Sequence, residues 1–298
     1  MKKITLLLLG LIFVSCSNDD SADSNANTSK LVSITKNYYS NNFFTSSEKL
    51  SFNDDKLIKI QYSDGSYENY QYNNNLVSNI KKFTADDSLY WTLTYLYNTD
   101  GKIVEIERTP GPTNTEVQTT AKFSFLYNAN RILINAVYTP GDTLTYELIL
   151  DQNNKIINEK WLSINGNTVT DQFYITNTFA NGNLSASLLE NYIGPTNNIS
   201  YTYNNVKNDF DYYQLLFGTH WKNNKCLDLF KNVLSVRGNL ETTSEYLVVS
   251  STHVHNNGSE NNSYSYTFNE KNKISKEILV RSSTFLPVFR SETIYEYR

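Results

Sequence analysis

The sequence predicts an all-β protein: a long antiparallel meander of repeated hairpins forming a curved, barrel-like sheet. Three observations predict it. The 298 residues hold 23 Tyr and 15 Phe against 11 Gly, 5 Pro and 1 Met, and aromatic residues fit the pleated, half-buried surface of a strand. One short pattern of aromatic strand, Asn- or Asp-rich turn and aliphatic strand recurs along the chain. Dipeptides that tolerate positive φ, namely Asp64-Gly65, Asn165-Gly166 and Asn181-Gly182, mark tight hairpin connections.

At the start of the chain, Lys2 and Lys3 precede an apolar run from Ile4 to Val14, too short to span a bilayer and ordered like a secretory signal. Residues 1–15 therefore read as a signal peptide. Phe13-Val14-Ser15-Cys16 resembles the lipobox of bacterial lipoproteins, which implies that Cys16 is acylated and becomes the new N-terminus. Two acyl chains on sulfur and one on the amine anchor stably, each buried methylene contributing about 0.8 kcal/mol. Ser17-Asn18-Asp19-Asp20 resembles the acidic export signal of Bacteroidota lipoproteins sent to the outer face of the outer membrane. Residues 16–30 form the acylated cysteine and a tether whose composition is that of a flexible, disordered segment.

Residues 31–298 form a single repetitive β domain. Its copies include LSFNDDKLIKI (50–60), YQYNNNLVSNI (70–80), YLYNTDGKIVEI (95–106), FLYNANRILI (125–134), LILDQNNKII (148–157), NTFANGNLSASL (177–188) and YTFNEKNKISKEI (266–278). The residue before each turn (Phe52, Tyr72, Tyr97, Tyr127, Leu150, Phe179, Phe268) and the apolar residue two positions earlier share a face, because side chains alternate along a strand. That face is the expected core. In YWTLTYLY, Trp91, Leu93, Tyr95 and Tyr97 take it and Thr92, Thr94 and Leu96 take the other. Strands of about five to six residues give roughly fourteen to eighteen of them over this length.

A lipid-facing wall needs an apolar outer band. Lys56, Lys59, Lys102, Glu105 and Glu107 contradict one, and an acyl anchor would be redundant on an inserted barrel. The copies, above all YNTDGKIVEI (97–106), resemble the tyrosine-aspartate repeats of bacterial surface proteins. With the lipobox, the chain resembles Bacteroidota lipoproteins carrying a domain of unknown function with a porin-like, curved β-sheet. That resemblance implies a fold and a location, and it transfers no catalytic residue. One stretch breaks the rhythm: in 207–245, Leu227, Phe230 and Leu234 have helical spacing, so one or two short helices are expected there.

The candidate site residues are few. His253 and His255, two apart on a strand, point the same way and offer two metal ligands; a solvated strand end running into NNGSENN is the plainer reading. Trp221, with His220 and Tyr213 in the irregular segment, and Trp161 are candidates for stacking on a ligand; core or edge packing is the plainer role for tryptophan. After cleavage Cys226 is the one thiol left, which leaves no internal disulfide. No His-Asn or His-Asp pattern accompanies it, so a buried inert thiol is expected. Turn aspartates such as Asp54, Asp55 and Asp151 are explained by hydrogen bonding to local amides.

A net charge of −4 without a basic cluster excludes a nucleic-acid groove. No cofactor is called for. These features point to an outer-membrane, lipid-anchored, cell-surface protein that binds or scaffolds without catalysis. Its partners are the membrane through acylated Cys16 and a glycan or another outer-membrane protein. The alternative is an extracellular polymer hydrolase whose carboxylates come from separate repeats.

Overall fold

The computed structural model describes residues 29–298 except 113, 115–119, 140, 142, 154, 166–167, 192–196, 209–243, 257 and 285; side chains at 161–165, 168–173 and 191 lie outside the description. Residues 1–28, with Cys16, and the segment expected to hold helices therefore lie outside the described residues, as does Cys226.

The described residues form eighteen strands, the upper end of the expected number. In chain order they are β1 (Leu31–Ser40), β2 (Phe43–Asn53), β3 (Lys56–Tyr62), β4 (Tyr67–Asn73), β5 (Leu76–Phe83) and β6 (Leu89–Tyr97). There follow β7 (Ile103–Pro110), β8 (Ala121–Asn128), β9 (Arg131–Tyr138), β10 (Thr143–Leu150), β11 (Ile156–Asn165) and β12 (Thr168–Ala180). The last are β13 (Asn183–Asn191), β14 (Asn197–Lys207), β15 (Tyr246–His255), β16 (Gly258–Phe268), β17 (Ile274–Ser283) and β18 (Phe289–Tyr297). Each strand pairs antiparallel with its successor, and β18 returns to β1 with Ile34 opposite Tyr295 and Tyr38 opposite Ser291. The curved sheet is thus a closed barrel, which removes the edges that would otherwise template aggregation.

Up-and-down topology divides the turns between two ends. Lys30 and Arg298 exchange backbone hydrogen bonds of 2.9 and 3.0 Å, so both ends of the described chain lie at one end of the barrel, here the tether end. The connections after β2, β4, β6 and every later even strand lie there too, and those after odd strands lie at the far end.

At the tether end, Asp54-Asp55, Asn74-Asn75 and Asn181-Gly182 adopt positive φ at both positions, which matches the right-handed twist of the flanking strands. Longer turns are built around a first residue whose side chain caps the loop: Asn98 Oδ1 accepts from the amides of Asp100 and Lys102, and Asp151 Oδ1 from those of Asn153 and Lys155. Asp64-Gly65 departs from the expected two-residue hairpin. It lies in a longer far-end turn, closed by a 2.9 Å bond from the Tyr62 amide to the Ser66 carbonyl, with positive φ at Gly65 alone. The reason is local: Asp64 Oδ1 accepts from both the amide and the hydroxyl of Ser66, which draws Ser66 into the turn. Gly166 lies outside the described residues.

A second regularity concerns the residues leading into the tether-end turns, Tyr127 excepted. Register shifts by one residue at Phe52, Tyr72, Tyr97, Leu150, Phe179, Tyr203 and Phe268. A bulge in the return strand bends it and increases its twist. Where the bulged residue is serine, its hydroxyl is used, as Ser78, Ser185 and Ser275 donate to the carbonyls of Gln71, Thr178 and Thr267.

Inner positions of β1–β11 form rows of cross-strand pairs: Ile34–Leu50–Ile60, Tyr70–Ile80–Leu93, Tyr95–Ile106–Phe123 and Phe125–Ile134–Tyr146. All of these are buried. A round barrel of this strand number leaves an aqueous channel, but Leu93, Ile106, Phe123 and Ile134 have no exposure at all. Side chains therefore fill the interior over this half, and each such Leu, Ile or Phe contributes about 1.5–3 kcal/mol.

The outer face has the opposite character. Lys122 pairs with Glu105 at 2.7 Å, and Arg131 with Glu147 and Lys276 with Glu292 are further cross-strand ion pairs. Thr94 bonds to Asn79, Thr145 to Asn135 and Thr252 to Asn261 at 3.0–3.1 Å. Exposed Leu96, Leu126, Val137, Val254 and Ile294 interrupt this surface.

Candidate functional site

The interior changes character from β14 to β18. On β15, Ser251, His253 and His255 project inward, and the register sets His253 opposite Glu260 and His255 opposite Gly258 of β16. Two residues further along β16, Asn262 is opposite Arg281 of β17. A continuous polar row results. Asn262 donates to Ser251 Oγ at 3.0 Å and accepts from Arg281 Nε at 3.2 Å. Arg281 Nε lies 3.8 Å from Glu260 Oε2. At the other edge, His255 Nδ1 is 3.0 Å from Asn197 Oδ1 of β14.

The two imidazoles face each other with ring centroids 3.8 Å apart, tilted by 45°. One ligand atom from each of His253, His255 and Glu260 lies within 4.8 Å of the others. Glu260 is buried and the histidines are half-buried. The Nε2 atom of His253 is buried without a hydrogen-bond partner. Burial, with His255 close by, lowers the His253 pKa from its ordinary value; the ring stays neutral and keeps a lone pair at neutral pH.

The expected pair is therefore brought together, and a third residue joins it. The solvated strand end anticipated at 253–262 is instead a hairpin, with the β16 segment Gly258–Phe268 antiparallel to β15. The signal for Glu260 lay in Asn256-Asn257-Gly258: a turn there puts 253 opposite 260. Trp161 is on β11, opposite Tyr146 and Phe173 in register, and its side chain lies outside the description. Tyr213, His220 and Trp221 lie outside the described residues. The strands flanking them meet at the tether end, where the Asn208 amide donates to the Glu245 carbonyl at 2.8 Å.

Beside the polar row, at the far end, Phe43, Phe44, Leu286 and Val288 are exposed, Phe43 by 78%. Asn41 donates to the Val288 carbonyl at 2.9 Å, which holds the β1–β2 turn to the segment before β18. Arg281 lies over Phe289 at 5.2 Å on the inner face, and Arg290 over Tyr39 at 5.5 Å on the outer one.

Buried carboxylates of separate repeats are each held by neighbouring side chains. Glu48, opposite Tyr62, accepts from Tyr38 at 2.8 Å and pairs with Lys36 at 3.6 Å. Glu68 accepts from Tyr62 at 2.7 Å and Tyr70 at 2.9 Å. Glu159 accepts from the Asn177 amide at 3.1 Å. Their exposures of 2%, 0% and 3% close them to a polymer substrate.

No protein-family model and no curated protein matches the chain. Among solved structures, a porin-like protein from Bacteroides uniformis matches with a TM-score of 0.48 and 12% identity, covering 90% of this chain and 98% of that one. A porin-like protein from Bacteroides vulgatus matches with a TM-score of 0.41 and 13% identity, covering 90% and 99%. With identity this low, what the barrel does has to be read from its own side chains.

Proposed function

We propose that this protein is a cell-surface lipoprotein of the outer membrane, held through acylated Cys16, whose barrel binds or scaffolds without catalysing a reaction. Its ligand is a glycan or another envelope protein. The polarity of the wall carries the reading. A barrel inserted in lipid turns apolar residues outward, whereas here the outer face carries the ion pairs Lys122–Glu105 and Arg131–Glu147 and the apolar rows point inward. Such a barrel stays in water, and an acyl anchor then has a purpose. The described chain begins at the tether end, so the anchor holds that end toward the membrane and presents the far end. There, Phe43, Phe44, Leu286 and Val288 are exposed apolar residues at one end of the barrel, the kind of residue an interaction site uses.

Fractionation of cells expressing Cys16→Ser tests the anchor. Loss of acylation and release from the membrane fraction are expected, and a variant still retained there would overturn the reading. Binding is tested by a glycan array and by cross-linking pull-down from intact cells, with Phe43→Ser/Phe44→Ser as the control. Recovery of a ligand that this double variant loses supports the display geometry; equal recovery by both refutes it.

A further inference from the structure

We propose that His253, His255 and Glu260 form a binding site for a divalent transition-metal ion, zinc being the best fit, inside the far end of the barrel. The donor set is two imidazoles and one carboxylate, the ligand types of zinc sites that keep a fourth position open. Strand geometry delivers all three. Alternation puts both histidines on the inner face of β15, and the cross-strand register sets Glu260 against His253.

Around an ion with bonds of about 2.1 Å, tetrahedral ligands stand ~3.4 Å apart. The present spacing of up to 4.8 Å is wider than that, and a bound ion would draw the three donor atoms together. Two details favour metal over plain packing. His253 Nε2 is buried with no hydrogen-bond partner, and a buried polar atom of that kind calls for an occupant. His255 Nδ1 faces Asn197 Oδ1 at 3.0 Å; a proton on Nδ1 donated to that oxygen leaves the Nε2 lone pair for the metal, the outer-shell arrangement typical of ligating histidines.

Arg281 does not close the site. Its Nε approaches Glu260 Oε2 only to 3.8 Å while bonding Asn262 at 3.2 Å, and its guanidinium lies over Phe289. A bound cation would take over as the counter-charge of Glu260.

Zinc alone, titrated calorimetrically into the metal-free full-length protein, is expected to bind at one ion per chain. His253→Gln and His255→Gln should each weaken it at least tenfold, with Glu260→Gln weakening it less. Metal-free melting curves of the variants show whether the barrel still folds, and cobalt in place of zinc should give the visible spectrum of a low-coordinate nitrogen and oxygen site in wild type and lose it in His253→Gln and His255→Gln. The chain has three histidines, so His220→Gln is an informative control and should bind as wild type. Absence of binding in wild type, unchanged affinity in both folded histidine variants, or loss of binding in His220→Gln alone would overturn the site.

Discussion

Tyrosine hydroxyls tie one hairpin to the one before it. Tyr72 donates to the Leu57 carbonyl, Tyr97 to Val77 and Tyr127 to Ile103, at 2.7–2.8 Å. Each acceptor stands opposite the equivalent aromatic of the preceding hairpin: Leu57 opposite Phe52, Val77 opposite Tyr72, Ile103 opposite Tyr97. Tyr203, Tyr266 and Tyr297 do the same with Leu184, Val248 and Ile274. Tyr97→Phe removes the donor and leaves a carbonyl unsatisfied, with an expected cost of about 1–3 kcal/mol in denaturant unfolding. Burial also pushes the Tyr97 phenol well above its ordinary pKa. Above about pH 10 the unfolded chain releases that proton while the folded one keeps it, so stability is complete below this pH and falls as pH rises. In alkaline unfolding followed by tyrosinate absorbance, Tyr97→Phe should show a shallower loss. The recurrence of these aromatics is legible in the sequence. The carbonyl each hydroxyl reaches is not, because it lies 15–24 residues earlier at a distance set by loop length.

Hairpins are the unit at the next scale, and they differ at the two ends of the barrel. Apart from the connections after β8 and β14, tether-end turns repeat two compact designs, so NDD, NNN and NTDG read as turns. Far-end connections vary, and there local rules fail: Asp64-Gly65 looked like a two-residue loop until the Ser66 contacts with Asp64 widened it. Gly111 shows how close that end packs. Its amide bonds the Tyr90 carbonyl at 2.8 Å, and a Cβ there would sit 1.7 Å from the Leu89 oxygen. Since the clash is with backbone, Gly111→Ala must part β6 from the end of β7. A loss of about 3 kcal/mol is expected in thermal or denaturant unfolding, and a variant as stable as wild type would show that this approach is not needed.

Closure decides the behaviour of the whole molecule. β1 and β18 pair from Leu31–Tyr297 to Ser40–Phe289, joining the first and last described strands. Deleting residues 289–298 leaves β1 and β17 as long unpaired edges. Size-exclusion chromatography of that truncation should show aggregates or dimers where the intact barrel runs as a monomer; a well-behaved monomer would mean the wall is held by its core alone.

By itself, the sequence determined the hairpin repeat, the inward set of Leu50, Phe52, Tyr70, Leu93 and Tyr95, and the shared direction of His253 and His255. These depend on alternation and turn chemistry, which act over a few residues. Tertiary structure decided that the sheet closes, that its apolar half packs shut, and that Glu260 joins the histidines. Closure depends on twist accumulated over eighteen strands, which no window of the sequence contains; the third ligand depends on the register of the β15–β16 hairpin, which pairing of His255 with Gly258 sets.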